Sequence, residues 1–253
     1  MKTNIITLKN RRTFLQAMGV ITALALTGLP TFTNGLAHAA DKTTAKPLKI
    51  GVIGSGRIGG TVGSLWLKAG HEVFFSSRHP DKLKHLVEGK GPKAHRGFPR
   101  KAAAFGEVVL ISVPYGAVPQ VGRDFARELK GKVVLETGNP FPGRDGKMAH
   151  AARIKGAGLA SAEFLPGVRL VRAFSPVGAY SLQSGAHRKG EKIAIPLAGD
   201  DKAALDIASR LVREAGFEPV VVGDLKSAKK FDVGSTVFGQ ALTAKELRQR
   251  LGL

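Results

Sequence analysis

LKIGVIGSGRIGGTVGSLWLKAGHEVFFSSR, residues 48–78, decides the fold of this chain. Leu48 to Ile53 is a short apolar run that breaks into Gly54-Ser55-Gly56-Arg57-Ile58-Gly59. Ile58, Val62, Leu65, Trp66 and Ala69 then recur at the spacing of one helix face. Gly70 stands where helices commonly close, and Glu72 to Phe75 reads as a second strand. Each glycine has a distinct task in such a unit. Gly54 permits the tight turn, Gly56 lets backbone approach a pyrophosphate, and Gly59 lets the helix pack closely on its strand. The pyrophosphate would rest on the free N–H groups at the positive end of the helix, so Gly54 to Gly59 are candidate cofactor residues.

The residues at the end of the second strand set the cofactor. An acid there would accept hydrogen bonds from both ribose hydroxyls of NAD and repel the extra phosphate of NADP. This chain has Ser76-Ser77-Arg78 instead, with Lys82 four residues on. Hydroxyl donors beside a guanidinium suit a phosphate monoester, so these four are candidates for the 2′-phosphate of NADP(H). A solvated basic loop is the alternative.

The alternation of strand and helix continues. Glu107 to Val113, Lys132 to Glu136 and Val168 to Ala173 are apolar strands, and Val118, Val121, Phe125 and Leu129 mark one helix that Gly131 closes. The basic stretch Gly89 to Arg100 gives no clear strand. Ile193 to Ala198 is a strand whose Pro196 suggests a sheet edge. Asp200 is placed to cap a helix with apolar face Leu205, Ala208, Leu211, Val212 and Ala215, closed by Gly216. Pro219 to Val222 is a further strand, and Thr243 with Glu246 forms a capping box for a last helix that packs on its own domain or on a partner. Continuous apolar strands between helices give an α/β fold of Rossmann type: a doubly wound, mostly parallel sheet with helices on both faces.

Three strand ends, Ser112-Val113-Pro114, Gly138-Asn139-Pro140 and Ala173-Phe174-Ser175, then share one sheet edge with the glycine turn, and ligands bind at that edge in such sheets. These three turns are therefore candidates to line a nicotinamide pocket, with backbone groups and Asn139 on its carboxamide. Alternatively, proline and glycine simply end these strands.

The first 39 residues are of another kind. They contain no acid, carry Arg11-Arg12 before a mildly apolar stretch from Met18 to Leu29, and end Ala37-His38-Ala39. This pattern is that of a twin-arginine signal with an A-x-A cleavage site, implying the twin-arginine export machinery and a periplasmic location. An uncleaved membrane anchor is the alternative; the stretch is short for a span, and no stable membrane span is expected after cleavage. Residues 40–47, ending DKTTAKP, read as a linker, and 48–253 as one domain with a C-terminal extension from about residue 190.

The 39 Lys and Arg against 19 Asp and Glu leave a net charge of +20 and favour anionic partners. The basic residues are dispersed and no nucleic-acid motif accompanies them, so nucleic acid is not expected. The chain has no cysteine, which excludes thiolate catalysis, iron–sulfur clusters and cysteine-rich zinc sites. The seven histidines lack HxxxH or HExxH spacing, so no metal site is expected. Lys147, Asp145 and Glu136 are the available proton donors, each better read as a solvated or capping group, and no catalytic acid or base is assigned.

In the order GxGxxG with Arg57, Ser76-Ser77-Arg78, Ser112-Val113-Pro114, Gly138-Asn139-Pro140, Ala173-Phe174-Ser175 and Gly199-Asp200-Asp201, residues 48 to about 230 resemble the NADP-dependent oxidoreductases that act on the deazaflavin coenzyme F-420. Val177-Gly178-Ala179-Tyr180-Ser181-Leu182-Gln183 is similar to the reductase domain of six-transmembrane metalloreductases. The resemblance implies direct hydride transfer between NADP(H) and a stacked deazaflavin or flavin, a small-molecule redox acceptor, without a protein acid, base or nucleophile. It also implies that Val113, Pro114, Asn139 and Ala173 border the nicotinamide and that Pro176, Val177 and Tyr180 face the second ring. Family members usually show Ala-Phe-Asn where this chain has Ala173-Phe174-Ser175. Phe141 to Lys147 is individual to this chain, and Asp232 to Phe238 has no counterpart in the family. Three other roles stay open: a reductase of a small carbonyl or imine, a non-catalytic NADP-binding redox sensor or partner subunit, and a basic interaction protein that retains the fold as scaffold. A homo-oligomer is compatible with all of them.

Overall fold

The computed structural model describes residues 46–253; the stretch read as a twin-arginine leader and residues 40–45 of the expected linker lie outside the described residues. The strands are β1 (Lys49–Ile53), β2 (Glu72–Ser76), β3 (Ala94–Gly97), β4 (Val108–Ile111), β5 (Val133–Glu136), β6 (Arg169–Arg172), β7 (Ala194–Gly199) and β8 (Glu218–Gly223). They form one sheet in the order β3-β2-β1-β4-β5-β6-β7-β8. The first six run parallel, β7 is antiparallel to β6, and β8 is parallel to β7. The order reverses at β1, which opens a crevice outside the carboxyl ends of β1 and β4.

Helices cover both faces: α1 (Arg57–Lys68), α2 (Lys84–Val87), α3 (Pro99–Phe105), α4 (Val118–Asp124), α5 (Ala126–Leu129), α6 (Pro142–Asp145), α7 (Lys147–Lys155), α8 (Ala157–Phe164), α9 (Ala179–Gly185), α10 (Lys202–Glu214) and α11 (Ala244–Leu251). The two-residue period of the strands explains the two layers. Val108, Leu110, Val133 and Leu135 join Val62, Trp66 and Leu211 on one face, while Val109, Ile111 and Val134 join Ala103, Val118, Leu129 and Ala160 on the other. A third apolar cluster, with Val220, Phe231, Val237 and Leu247, seats α11 against β7 and β8, so the last helix packs on its own domain. Its Thr243–Glu246 capping box is formed in both directions.

The structure differs from the sequence expectations in four places. The basic stretch after Gly89 supplies edge strand β3, and Pro99 then opens α3. The helix expected through Leu129 breaks at Phe125, where Arg100 draws the Asp124 carbonyl outward (2.7 Å) and stacks over the Phe125 ring. Asp201, not Asp200, caps α10 by accepting from the Ala204 N–H at 2.9 Å; Asp200 accepts from Leu225 N–H instead. Strand β7 is interior rather than an edge, because β6 pairs with it only at Ala198 and Gly199 and leaves Pro196 with no ladder bond to supply on that side.

Candidate active site

Gly54, at the end of β1, adopts φ +91°, and a Cβ there would run into the Ser112 carbonyl. A Cβ on Gly59 would overlap the Gly54 carbonyl oxygen, so only glycine lets α1 start this close to β1. Above Gly56, by contrast, a Cβ would meet nothing within 4 Å. Gly56 is the N-cap of α1 and no side chain caps the helix. The N–H groups of the first turn therefore point into open space with no intrahelical acceptor, an anion seat made of backbone. A cleft of about 510 Å³ adjoins it, bounded by Ser55, Gly56, Arg57, His85 and Gln183.

The serines of the second strand end divide. Ser76 is fully buried and donates its hydroxyl to the Val52 carbonyl at 2.6 Å. It is the last residue of β2 and its side chain points into the sheet, so it cannot reach a 2′-phosphate. Ser55 is committed to it: its N–H donates to the Ser76 carbonyl (3.0 Å) and its Oγ accepts from the Ser76 N–H (2.9 Å). Both stitch the glycine turn to β2; Ser76 is sealed in the sheet, while Ser55 still lines the cleft with its hydroxyl proton uncommitted. Ser77 turns outward, its Oγ accepting from His79 N–H, and Arg78 and Lys82 are exposed with no side-chain partner among the described residues. Arg96 of β3 braces the same loop through the Pro80 carbonyl (2.9 Å) and Asp81. Arg57 also stands exposed at the first turn of α1, and the half-buried Ile58 packs its side chain toward the core, contributing only backbone to the anion seat.

The three later turns are tied together. Asn139 donates from Nδ2 to the Ser175 carbonyl at 2.7 Å, while its Oδ1 is buried and unpartnered. An orphaned acceptor of this kind fits a carboxamide N–H₂. Val113 is half-buried and Pro114 exposed at the same edge. Ala173 is fully buried and packs in the core, so it borders the edge only through the backbone just after it. Pro176 and Val177 are buried too; of the three residues expected to face a second ring, only Tyr180 is open to it, at 81% exposure. Phe174 holds φ +60°, a left-handed conformation uncommon for a bulky residue. Its ring is pinned edge-on between Trp66 (6.1 Å) and Phe217 (6.2 Å), which compels the backbone to turn at Ser175.

Residues 49–140 match the family described as NADP oxidoreductase, coenzyme F420-dependent. Over that stretch the chain is similar to the F420-dependent NADP oxidoreductases. The metalloreductase STEAP3 of Rattus norvegicus is 26% identical over 191 residues, which cover 73% of this chain but only 36% of that protein. Two solved structures share the fold. A hypothetical protein from Sinorhizobium meliloti superposes with a TM-score of 0.66 at 21% identity, over 79% of this chain and 97% of its own. A protein described as an F420-dependent NADP-reductase from Arthrobacter sp. FB24 gives 0.62 at 20% identity, over 78% and 99%. The chain thus shares the Rossmann fold of these proteins, and residues 49–140 carry the NADP-oxidoreductase family pattern.

Beneath the carboxyl edge of the sheet lies a charged network that the sequence did not disclose. Glu136 and Arg172 are both fully buried and ion-paired. Glu136 accepts from Gly138 N–H and from Ser161 Oγ, and Arg172 donates to the Gly138 carbonyl at 2.8 Å. Asp232 approaches Arg172 at 3.5 Å and accepts from Ala157 N–H. Tyr115 donates to the Ala157 carbonyl and meets Ser161, each at 3.1 Å. Burial pushes the Glu136 carboxyl up from its ordinary value against the pull of Arg172, and burial, then Glu136, pushes the Tyr115 phenol up. Burial works against the Arg172 charge, but Glu136 and Asp232 outweigh it. Glu136 is thus neither solvated nor capping, as the sequence suggested; it clamps the Gly138–Asn139 turn. Asp145 is likewise occupied, bound by Arg144, Phe141 N–H and Gly116 N–H, and Lys147 is exposed. The only sequence signal for the pair was a charge of opposite sign at the carboxyl end of each of two neighbouring strands, Glu136 and Arg172.

Proposed function

We propose that this chain binds NADP(H) along the carboxyl edge of its sheet and serves hydride transfer between the nicotinamide and a planar flavin or deazaflavin acceptor. The observation that carries this reading is the bare, uncapped start of α1 over Gly56, with exposed Arg78 and Lys82 at the neighbouring strand end. The donor set fits the group: backbone N–H for pyrophosphate, guanidinium and ammonium for the 2′-phosphate, and the orphaned Asn139 Oδ1 for the carboxamide. Bound NADPH supplies a hydride, and the acceptor takes its remaining proton from water. The contribution of the protein is register: it holds two rings face to face and needs no proton-transferring side chain.

Reduction of a small carbonyl or imine would require an acid within reach of substrate. Glu136, Asp145 and Tyr115 at this edge are all committed to structural partners, which weighs against it and leaves the exposed Lys147 as the one donor named from sequence that is open to solvent. The test is titration of the purified chain with NADPH and NADH side by side, followed by addition of flavin and deazaflavin under anaerobic conditions. Tight NADPH binding with acceptor-dependent loss of nicotinamide absorbance is expected; binding without turnover would move the chain to the redox-sensor class.

The Arg11-Arg12 leader supports export of the folded, cofactor-loaded protein to the periplasm. Changing both arginines to lysine is expected to leave unprocessed protein in the cytoplasm, and normal export of that variant would refute the route.

A further inference from the structure

Two stretches without counterpart in the family resemblance, Phe141–Lys147 and Asp232–Phe238, lie far apart in sequence and meet at the nicotinamide edge. The first is bolted to the strand ends on both sides. Arg144 donates to the Asn139 carbonyl at 2.8 Å, and Asp145 accepts from the Gly116 N–H, beyond β4, at 3.1 Å. The second folds back over the turn after β6, where Gly239 N–H donates to the Pro176 carbonyl at 2.8 Å and Asp232 is drawn in by Arg172. Their aromatic rings touch: Phe141 and Phe238 lie edge-on with centroids 6.3 Å apart, and the Arg144 guanidinium covers one face of Phe141 at 5.2 Å.

Neither ring is sunk in the core. Phe141 remains 38% exposed and Phe238 half-buried, although three apolar clusters are available in this fold. Beside them are two unpartnered polar atoms, Asn139 Oδ1 and the Oγ of Ser175, whose residue is only 3% exposed. Half-exposed aromatic rings next to unsatisfied buried polar atoms have the chemistry with which proteins line ligand sites, an apolar wall with a few orienting groups.

We propose that Phe141 and Phe238 form the wall on which the planar conjugated ring of the acceptor packs, so that the two chain-specific segments select ring acceptors over small aliphatic ones. The inference rests on the NADP reading of the adjoining site. Ring-on-ring packing of this kind is worth about threefold to tenfold in affinity for each aromatic.

The experiment uses the full chain and two separate readouts: quenching of oxidised FMN fluorescence, with and without NADP⁺, and NADPH fluorescence enhancement. Phe141→Ala and Phe238→Ala are each expected to weaken FMN binding about threefold to tenfold while NADPH binding changes less than about twofold. Phe238→Leu keeps bulk without the ring and guards against a folding defect; it should show the same loss. Phe98→Ala, at an exposed ring beside α3, should change neither readout. Unaltered FMN binding in all three rim variants, or a wild-type chain that binds NADPH but neither FMN nor a 5-deazaflavin, overturns the proposal. Failure to bind NADPH with FMN binding still lost in the rim variants would sink the NADP reading and leave the aromatic wall standing.

Discussion

Glu136 and Arg172 are register partners at the ends of β5 and β6, both fully buried, and each also grips the Gly138 backbone. The pair therefore couples the stability of the sheet to the position of Asn139. A buried pair contributes little over an apolar replacement, but removing one member strands the other charge. Arg172→Met is expected to lower unfolding stability by about 3–5 kcal/mol in urea titration. Glu136→Gln should cost less, since Asp232 still faces Arg172 and an amide keeps the shape. An Arg172→Met loss below about 1 kcal/mol, the range of exposed pairs, would show that the pair does not carry this turn.

Two glycines of the same turn should respond in opposite ways. Gly56 has φ −77° and open space above it, so Gly56→Ala should leave the melting temperature within error and weaken NADPH binding about tenfold, the Cβ standing where the pyrophosphate approaches. Gly59→Ala should lower the melting temperature itself, because its Cβ meets the Gly54 carbonyl. Thermal melts paired with NADPH titrations separate the two; equal effects of both substitutions on stability would contradict the assignment.

Ser76 and Arg78 stand two residues apart and should fail differently. Losing the Ser76 hydroxyl bond to Val52 should cost about 1 kcal/mol of stability and affect NADPH and NADH alike. Arg78→Ala removes a charged donor and should weaken NADPH binding about tenfold to a hundredfold with little change for NADH. Equal losses for the two cofactors in Arg78→Ala would rule out a 2′-phosphate contact.

Acid should loosen the anchor of α10. The Arg169 guanidinium holds the Asp201 carboxyl well below the usual carboxylate range, with the Ala204 N–H adding to it. Since the folded-state value is depressed, this contribution is complete above the ordinary aspartate range of about 4 and is lost as pH falls below it. The stability gap between the wild-type chain and Asp201→Asn should therefore narrow from pH 5 toward pH 2. A gap that stays constant across that window would mean that the Arg169 contact contributes nothing.

Much of this was legible in the chain because it depends on neighbours in sequence. The glycine turn, the face of α1, the capping box at Thr243 and the carboxyl edge shared by β1, β4, β5 and β6 can be read from spacing alone. Matters of register and direction were not legible. Ser76 and Ser77 are adjacent serines, yet strand pleat turns one into the sheet and the other to solvent. Pro196 reads as an edge residue until the short overlap of β6 with β7 is known.

From its sequence by itself, then, the chain reads as a Rossmann-type domain with an arginine where an NAD enzyme would carry an acid, because backbone conformation and local charge are written in consecutive residues. Only the tertiary structure brought Glu136 to Arg172, pinned Phe174 in a left-handed turn between Trp66 and Phe217, and laid Phe238 against Phe141. Those contacts join residues from 36 to about a hundred positions apart, and each depends on strand order and loop path, which no local pattern encodes.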